Sequence, residues 1–580
     1  MKRTVVNVLK IAAVLSGFAL SSCDMDESES SGSSVSAAGE IITSTSTTAS
    51  WDASSSGVFE VGTGVTTVNI TGATSGKTLY LVKRNTGSTS IATKSQPYVS
   101  GSSSSRSAAD TEEIEDVSDV LCDSEDSSWH CYIPPEPELS SSGARSASDS
   151  SSSVTQIDPV VGETTKSIYV DTDSSLSNYE QKTATLYAEG AYCYVWIVDD
   201  YYNETASEKY VNQTQAQELA DAFDSLYNVE RNIFGKESEY IYSNSSKTAI
   251  TSASDTGSMV NIVLYDIAAD YGSTSPSGVA GYFYSRDYYK ASVASQSNVG
   301  KYFYIDSGYI NESFDTQVST LAHEFQHMIR FNLTRENSVS DSTWFNEMMS
   351  ILCEDMLQSH LGLDDSDSPK NRTQNFNYAY YLCGLSEYNS STSSSAGYSY
   401  AVWANFGMFL ARRYGGAALV QKMAGIKGSG NSVILSAING LNGTSYTFDD
   451  LFEQYVQALL GSSEYTHNVD AETTVSHTGT DGDTSNSYSE SNPYFYPMTA
   501  YDIFDDDYAF PSSVRKSYST AKYSGYSWNG PYVLSVNYGA TLRPNNGFTL
   551  HGIKTMSSTS TTVTFSSNSN SSVKLYLILL

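Results

Sequence analysis

The sequence is poor in positive charge, histidine and cysteine. Its 580 residues include 32 Lys and Arg against 65 Asp and Glu, for a formal net charge of −33 at pH 7. This acidic balance argues against nucleic acid and anionic membrane surfaces as partners, because both repel negative charge. The six cysteines include no paired CxxC spacing, which argues against a cysteine-ligated metal cluster. Because the chain has only seven histidines, two that lie close together are informative.

Long apolar runs are also lacking beyond the N-terminus, so no later segment is expected to cross a bilayer. Lys2 and Arg3 precede a mainly apolar run at 5–20, which is too short to span as a helix and is typical of a signal peptide. The following small residues and Cys23 resemble the lipobox of a bacterial lipoprotein. We predict a lipoprotein signal peptide at 1–23 and a mature protein anchored by lipidated Cys23 to the bacterial cell membrane, outside the cytoplasm. An ordinary secretory signal with an incidental Cys is the alternative.

The remaining five cysteines are an odd number, so an exported chain keeps at least one free thiol. Cys122 and Cys131 bracket a short polar loop and are the pair predicted to be bridged. Cys353 occupies an apolar position in a predicted helix, where we expect it to be buried by packing.

Residues 323–327 read His-Glu-Phe-Gln-His. On a helix, His323 and His327 lie about 40° apart around the axis and one turn apart in height, so both imidazoles can reach one cation. Glu324 projects beside that cation, where its carboxylate can take a proton from a zinc-activated water. A catalytic zinc needs a third protein ligand and one open position, and Glu347 can supply this ligand from a second helix. We therefore predict one catalytic Zn²⁺ at His323, His327 and Glu347, with Glu324 as general base.

The surrounding pattern favours this interpretation over a chance match in a core helix. Apolar residues at helical spacing form one stripe through 318–329, and the two His lie on its edge rather than within it. Ser313 or Asp315 offers an N-cap for the helix.

HEFQHMI followed by WFNEMMSILCED resembles the hyicolysin family of secreted bacterial zinc metallopeptidases, in the gluzincin group that includes thermolysin. The resemblance is specific over roughly 315–356 and extends less strongly from about 185 to 465. It implies His323, His327 and Glu347 as zinc ligands, Glu324 as catalytic base, and a protein or peptide as substrate.

One position departs from the thermolysin-like pattern. Those sequences carry an Asp four residues after the Glu ligand, where it orients the first His, and this chain has Ile351 there. Glu354 or Asp355, one turn further on, could take over this role. The group also supplies a second electrophile downstream of the Glu ligand, and the candidates are Tyr398, Tyr400 and His360.

The predicted fold class is α+β, with a gluzincin-like (thermolysin-like) metallopeptidase domain flanked by N-terminal and C-terminal β-rich modules. The predicted order is a flexible tether at 24–50, a β-rich module at 51–182 with a disordered Ser/acidic insertion at about 99–165, the metallopeptidase domain at 183–465, a linker at 466–495, and a β-sandwich-like module at 496–580.

Within the predicted peptidase domain, hydrophobic periodicity and turn signals predict strands at 191–198, 260–267, 279–285 and 301–306, and helices at 214–234, 403–414 and 447–460. Capping boxes are expected at Thr214/Gln217 and Thr447/Asp450. By the resemblance, the segment 281–284 is the candidate edge strand that pairs with extended substrate along the cleft.

Two classes of function fit these residues. The first is an extracytoplasmic zinc-dependent endopeptidase, and the second is a surface lipoprotein that uses a non-catalytic zinc domain for binding or adhesion. The intact Glu324 favours the endopeptidase, because a binding module needs no base beside its metal. An aminopeptidase is a narrower option, but the sequence offers no motif that would capture a free substrate amine.

Overall fold

The computed structural model describes residues 47–100, 129–130, 134, 137, 139, 153–156, 158–172, 178–243, 246–252, 258–271, 278–389, 393–465, 473–477, 494–504, 530–566 and 570–580. The predicted signal peptide with Cys23, and the predicted Cys122–Cys131 bridge, lie outside these residues. Among the residues described, no helix combines the length and apolar character needed to cross a membrane.

Helices and strands are mixed along the chain, which confirms the predicted α+β class. The strands are β1 (Thr48–Asp52), β2 (Val58–Val61), β3 (Thr67–Thr71), β4 (Thr78–Asn85), β5 (Trp129–His130), β6 (Ser153–Gln156), β7 (Thr165–Asp171), β8 (Tyr179–Glu189), β9 (Cys193–Val198), β10 (Tyr240–Tyr242), β11 (Lys247–Ser252), β12 (Val260–Tyr265), β13 (Gly278–Val279), β14 (Gly281–Phe283), β15 (Tyr302–Asp306), β16 (Thr473–His477), β17 (Tyr494–Met498), β18 (Leu534–Ser535), β19 (Gly547–Thr555), β20 (Thr561–Thr564) and β21 (Val573–Leu579). The α-helices are α1 (Gln213–Phe234), α2 (Ser307–Glu312), α3 (Phe314–Asn337), α4 (Thr343–Leu361), α5 (Thr373–Ala379), α6 (Ser393–Tyr414), α7 (Gly416–Gly425), α8 (Asn431–Asn442) and α9 (Phe448–Leu459).

A six-stranded sheet forms the base of the central region, in the order β14-β15-β12-β9-β8-β7. Its middle strands β9, β12 and β15 are parallel, and each is buried along its whole length, as expected for parallel strands covered on both faces. Helices α1 and α3 pack on one face, and on the other face the side chains of the strands form a tyrosine-rich cluster. β14 pairs antiparallel with β15 and forms an edge of the sheet, as predicted for the candidate edge strand.

The predicted capping box of α1 is wrong by two residues. The side chain of Asn212 accepts from the Gln215 backbone N–H, and Gln215 returns a bond to the Asn212 backbone. Thr214 already lies inside the first turn, whereas an N-cap must keep the extended backbone that Asn212 has. In α9 the predicted Thr447/Asp450 box is present.

Helices α3 and α4 pack against each other in the centre of the main core. α3 begins after Ser313, which occupies the predicted N-cap position, but its hydroxyl bonds Thr316 Oγ1 instead of the helix backbone. Cys353 of α4 is buried with a free thiol, as expected. Helix α6 begins at Ser393, ten residues before the predicted start at Trp403. The prediction placed the start too late because the first residues of the helix are mostly polar and precede its apolar stripe.

The two predicted β-modules form one β-sandwich, which corrects the prediction of separate N-terminal and C-terminal modules. One sheet has the order β1-β3-β20 and the other the order β18-β19-β4-β21-β2, so each combines strands from both ends of the chain. Trp51 and Val68 of the first sheet share a core with Leu81 and Leu577 of the second.

The boundaries of the predicted domains shift accordingly. β7 and β8 belong to the six-stranded sheet, so the central region begins before the predicted residue 183. Tyr496, Met498, Tyr501 and Ile503 are buried in the main core beside the helices. Among the residues described after them, the first strand of the sandwich is β18. The predicted module start at 496 is therefore wrong.

The sandwich packs directly on α9. Phe452 of this helix contacts the rings of Phe548 and Tyr576, with centroids 5.4 and 5.8 Å apart. The buried guanidinium of Arg84 lies over Phe452 and donates to Asp449 Oδ1 at 2.7 Å. Apolar burial and a partly buried ion pair thus join the sandwich to the helical region.

Candidate metal and active site

The two histidines of the motif lie one turn apart on α3, as predicted. Their ring centroids are 4.8 Å apart, with the ring planes at 82°. Both Nε2 atoms face Glu347 of the neighbouring helix α4: His323 Nε2 lies 3.2 Å from Oε2, and His327 Nε2 lies 3.4 Å from Oε1. The structure therefore brings together the three residues predicted as ligands.

This donor set fits a zinc ion. One ligand atom from each of the three side chains lies within 4.8 Å of the other two, so a single cation can contact all three. Two imidazoles and one carboxylate are the ligand set of a catalytic zinc site, which leaves one position for water or substrate. Burial alone would raise the pKa of Glu347, but the adjacent His327 and His323 outweigh it and hold this pKa well below the usual value. The carboxylate is thus ionised, as a ligand must be.

Glu324 lies beside the ligands and points at the edge strand. It is only 2% exposed, and burial raises its pKa above that of an ordinary carboxyl, although both histidines and the Phe283 backbone N–H oppose this rise. The Phe283 N–H donates to the Glu324 carboxylate, so β14 holds the side chain in place. A raised pKa suits a group that must accept a proton and later release it.

The edge strand lies close enough to α3 to require a glycine. A Cβ at Gly281 would lie 2.8 Å from Thr320 Cγ2 of α3 and 2.9 Å from the Tyr304 carbonyl oxygen. The Asp306 N–H donates to the Ala280 carbonyl, so the polar backbone of Ala280 faces β15. Because backbone polar groups alternate along a strand, those of Gly281 face away from β15.

His323 is oriented by Glu354, which decides between the two predicted alternatives. Glu354 Oε1 lies 2.7 Å from His323 Nδ1, and its other oxygen accepts from Ser319 Oγ at 3.1 Å and faces Arg372 Nη1 at 3.6 Å. Burial would raise the pKa of Glu354, but Arg372 and His323 outweigh it and lower this pKa. Ile351, at the position of the thermolysin-like Asp, is buried in the core.

Asp355 does not contact the site. Both of its carboxylate oxygens accept from Arg412, at 2.8 and 3.0 Å, and Arg412 also donates to the Thr499 carbonyl. Adjacent residues of a helix point about 100° apart, so only one of the two carboxylates can face His323. Asp355 instead ties α4 to α6 and to the segment after β17.

Of the three candidate electrophiles, the structure places Tyr400 at the site. Its hydroxyl donates to Glu347 Oε2 at 2.9 Å. Tyr398, two residues earlier on α6, points to a different side of that helix. His360 is exposed and bonds the Ser225 carbonyl, and it lies about 20 Å along α4 from Glu347.

Sequence reasoning missed several residues around the ligands. Ser350 Oγ lies 3.1 Å from His327 Nδ1 and donates to Gln326 Oε1 at 2.6 Å. Arg372 and the Phe283 backbone were missed as well. The spacing of Glu347, Ser350 and Glu354 puts them on one helix face, and it could have indicated that Ser350 lies near the histidines. No nearby sequence pattern indicates that Arg372 lies near Glu354.

A second acidic group could also hold a cation. Asp266, Asp270 and Asp306 offer carboxylate oxygens within 4.8 Å of one another, at the carboxyl ends of β12 and β15. Backbone N–H groups already donate to Asp306, and Lys209 Nζ lies 3.5 Å from Asp266. Unlike the site on α3, this group has no histidine. Its bonds to backbone N–H groups resemble those of a structural carboxylate cluster.

A two-His, one-Glu site between neighbouring helices, with a buried Glu beside it, defines a candidate metallopeptidase. The sequence model of the Peptidase M30 family matches residues 176–470, which is just over half of the chain. The chain belongs to the peptidase M30 family. This confirms the metallopeptidase resemblance seen at 315–356, while the lipoprotein assignment stays a prediction.

The chain is also similar in sequence to a metalloprotease. The neutral metalloprotease ShpI of Staphylococcus hyicus is 24% identical over 301 residues, which cover 50% of this chain and 58% of ShpI. The chain therefore spans less than two thirds of the length of this relative.

Proposed function

We propose that the chain is a zinc-dependent endopeptidase that hydrolyses peptide bonds in proteins or peptides. The observation that carries this proposal is the convergence of His323, His327 and Glu347, with Glu324 buried beside them. Membership of the peptidase M30 family and the similarity to a neutral metalloprotease support it. The edge strand beside the histidine helix, with the third ligand on the next helix, supports a gluzincin-like arrangement.

In the proposed reaction, His323, His327 and Glu347 hold the zinc ion. When bound, zinc supplies Lewis acidity that polarises the substrate carbonyl and activates a water molecule. Glu324 accepts a proton from the attacking water and passes it to the leaving amine, a role that suits its burial and raised pKa. Tyr400 donates its hydroxyl to Glu347, and we assign to it the stabilisation of the developing oxyanion.

Extended substrate would run along β14. The polar backbone groups of Gly281 face away from β15 and are available for β-type pairing. At Phe283 the N–H is engaged by Glu324, which leaves the carbonyl of that residue for substrate. The general base and the substrate strand would therefore share one short stretch of backbone, which fixes the distance between them.

The intact Glu324 separates this proposal from the non-catalytic binding module. Glu324→Gln keeps the size of the side chain but removes its basicity, so zinc content and thermal stability should stay near wild type. Hydrolysis of an unstructured protein should fall at least about a hundredfold, the lower end of what a positioned general base contributes.

Glu336→Gln is the matched control. Glu336 also lies on α3 but bonds Tyr242 and Lys247, about 18 Å along the helix from Glu324, so this variant should remain active. Internal cuts by the wild type support an endopeptidase, and stepwise loss of N-terminal residues would support an aminopeptidase. Full activity in zinc-loaded Glu324→Gln would exclude this base. Equal inertness of wild type and variant would favour the binding module.

We also propose that the protein acts outside the cytoplasm, attached to the cell membrane through lipidated Cys23. The lipobox-like sequence before Cys23 carries this proposal. An acyl anchor of this kind needs no membrane-spanning helix.

A further inference from the structure

One face of α4 serves both histidines. Glu347, Ser350 and Glu354 are spaced by three and four residues, so they lie on the same side of the helix. Glu347 faces both Nε2 atoms, Ser350 faces His327 Nδ1 and Glu354 faces His323 Nδ1. At Nδ1 the two histidines therefore have different partners, a carboxylate for His323 and a neutral hydroxyl for His327.

A hydroxyl can donate or accept, so Ser350 alone would not fix the proton on His327. Its single proton is used, however, because Ser350 Oγ donates to Gln326 Oε1 at 2.6 Å. Toward His327 Nδ1, at 3.1 Å, the oxygen can then only accept. Ser350 is 0% exposed and Gln326 is 1% exposed, so bulk water does not compete for these bonds.

We propose that Gln326 and Ser350 are positioning residues that hold the proton of His327 on Nδ1 and so present its Nε2 lone pair to the metal. The proposal rests on the proposed zinc site. It assigns a role to Gln326, which directly precedes His327 and is not itself one of the proposed ligands. Removing either member leaves the ring free to rotate or to move its proton to Nε2, and both changes weaken a ligand.

The first test is zinc affinity of the full chain, measured by competition with a chromophoric chelator. Ser350→Ala should weaken zinc binding about 10- to 100-fold, the usual effect of removing such a partner. Gln326→Met fills a similar space but offers Ser350 only a weak sulfur acceptor, so it should weaken zinc binding in the same direction. Gln326→Glu keeps an acceptor for Ser350 and should bind zinc as tightly as wild type.

Ser432→Ala is the control for loss of a helical serine, since Ser432 is exposed and bonds only its local backbone. Excess zinc should restore peptidase activity to Ser350→Ala and Gln326→Met, whereas a folding defect would not respond to zinc. If Ser350→Ala does not fold, the contrast between Gln326→Met and Gln326→Glu still decides the question.

The second test observes the proton directly. With only seven histidines, ¹⁵N-histidine labelling of the zinc-loaded chain should resolve the two imidazoles of the site. Glu354→Gln keeps all three proposed ligands and changes the Nδ1 partner of His323, so the imidazole whose Nδ1 signal it does not shift is His327. Its Nδ1–H should exchange slowly in wild type and rapidly in Ser350→Ala. Unchanged exchange and affinity in Ser350→Ala and Gln326→Met would overturn the positioning role alone. A wild-type chain that binds no zinc would overturn the proposed function as well.

Discussion

Glu354 and Asp355 are adjacent carboxylates with different partners, so replacing each with alanine separates a role in metal binding from a role in stability. Glu354→Ala removes the partner of His323 Nδ1, and Asp355→Ala removes the partner of Arg412. Both residues are buried and belong to the same helix, which makes each variant the control for the other.

For Glu354→Ala, the expected loss is in zinc affinity. The Nδ1–H of His323 loses a carboxylate partner at 2.7 Å. Removing such a partner weakens metal binding about 10- to 100-fold, which corresponds to about 1.4–2.7 kcal/mol. Glu354→Gln keeps an oxygen acceptor but loses the charge, so its affinity should fall between those of wild type and alanine.

For Asp355→Ala, the expected loss is in stability. The Arg412 side chain is 1% exposed and would remain charged after losing the Asp355 carboxylate. Breaking a buried ion pair from one side costs about 3–5 kcal/mol. Zinc affinity of the folded chain should be unchanged, because Asp355 contacts none of the ligands.

The assays are chelator competition for zinc and urea unfolding of the metal-free chains. The expected pattern is weak zinc binding with a smaller fall in the urea midpoint in Glu354→Ala, because Arg372 is more exposed and lies 3.6 Å from Glu354. Asp355→Ala should show normal zinc binding with a larger fall in the midpoint, because Arg412 is 1% exposed and lies 2.8 Å from Asp355. Equal zinc affinities in the two variants would refute the assignment of Glu354 as the partner of His323.

Three further predictions concern other parts of the chain. His327→Ala should lose most bound zinc, measured by metal analysis of the purified protein, because two remaining ligands hold zinc poorly, and full occupancy would argue against the site. Cys23→Ser should abolish acyl labelling and release the protein from membranes, and unchanged membrane partition would mean that the lipobox prediction is wrong. Burial lowers the pKa of His551 to about 3. As the pH falls from 6.5 toward 3, the unfolded chain therefore binds a proton at this residue that the folded chain does not bind, and the free energy of unfolding decreases. The urea midpoint should therefore fall less between pH 7 and pH 5 in His551→Gln than in wild type, and equal slopes would contradict this account.

The convergence of the candidate ligands could be predicted from the sequence because the geometry of the two histidines is local. The relation of His323 to His327 follows from the helical repeat alone, and any α-helix that contains this motif places both rings on one side. The apolar stripe of α3 could be predicted from its helical spacing. The buried strands β9, β12 and β15 could be predicted as well, since continuous apolar runs are typical of parallel strands. The prediction of Glu347 as the third candidate ligand required only that a second helix lie close to the first.

Local sequence could not decide the partners of these ligands. Whether Glu354 or Asp355 faces His323 depends on the rotation of α4 about its axis, which its packing against α3 and α6 sets. Tyr400 reaches Glu347 because α6 crosses beside α4, and Arg372 reaches Glu354 from a separate segment. These contacts arise from helix packing between segments that are distant in the chain.

The sequence by itself thus determined the α+β class and the histidine helix with Glu324 beside its two histidines, because hydrophobic periodicity and side-chain spacing act within a few turns. Only the tertiary structure joined both ends of the chain into one β-sandwich, since strand pairing depends on edges and faces that meet in space rather than on the order of the strands. It also selected Glu354, Ser350 and Tyr400 around the site, because a hydrogen-bond partner is fixed by the direction in which a buried side chain points.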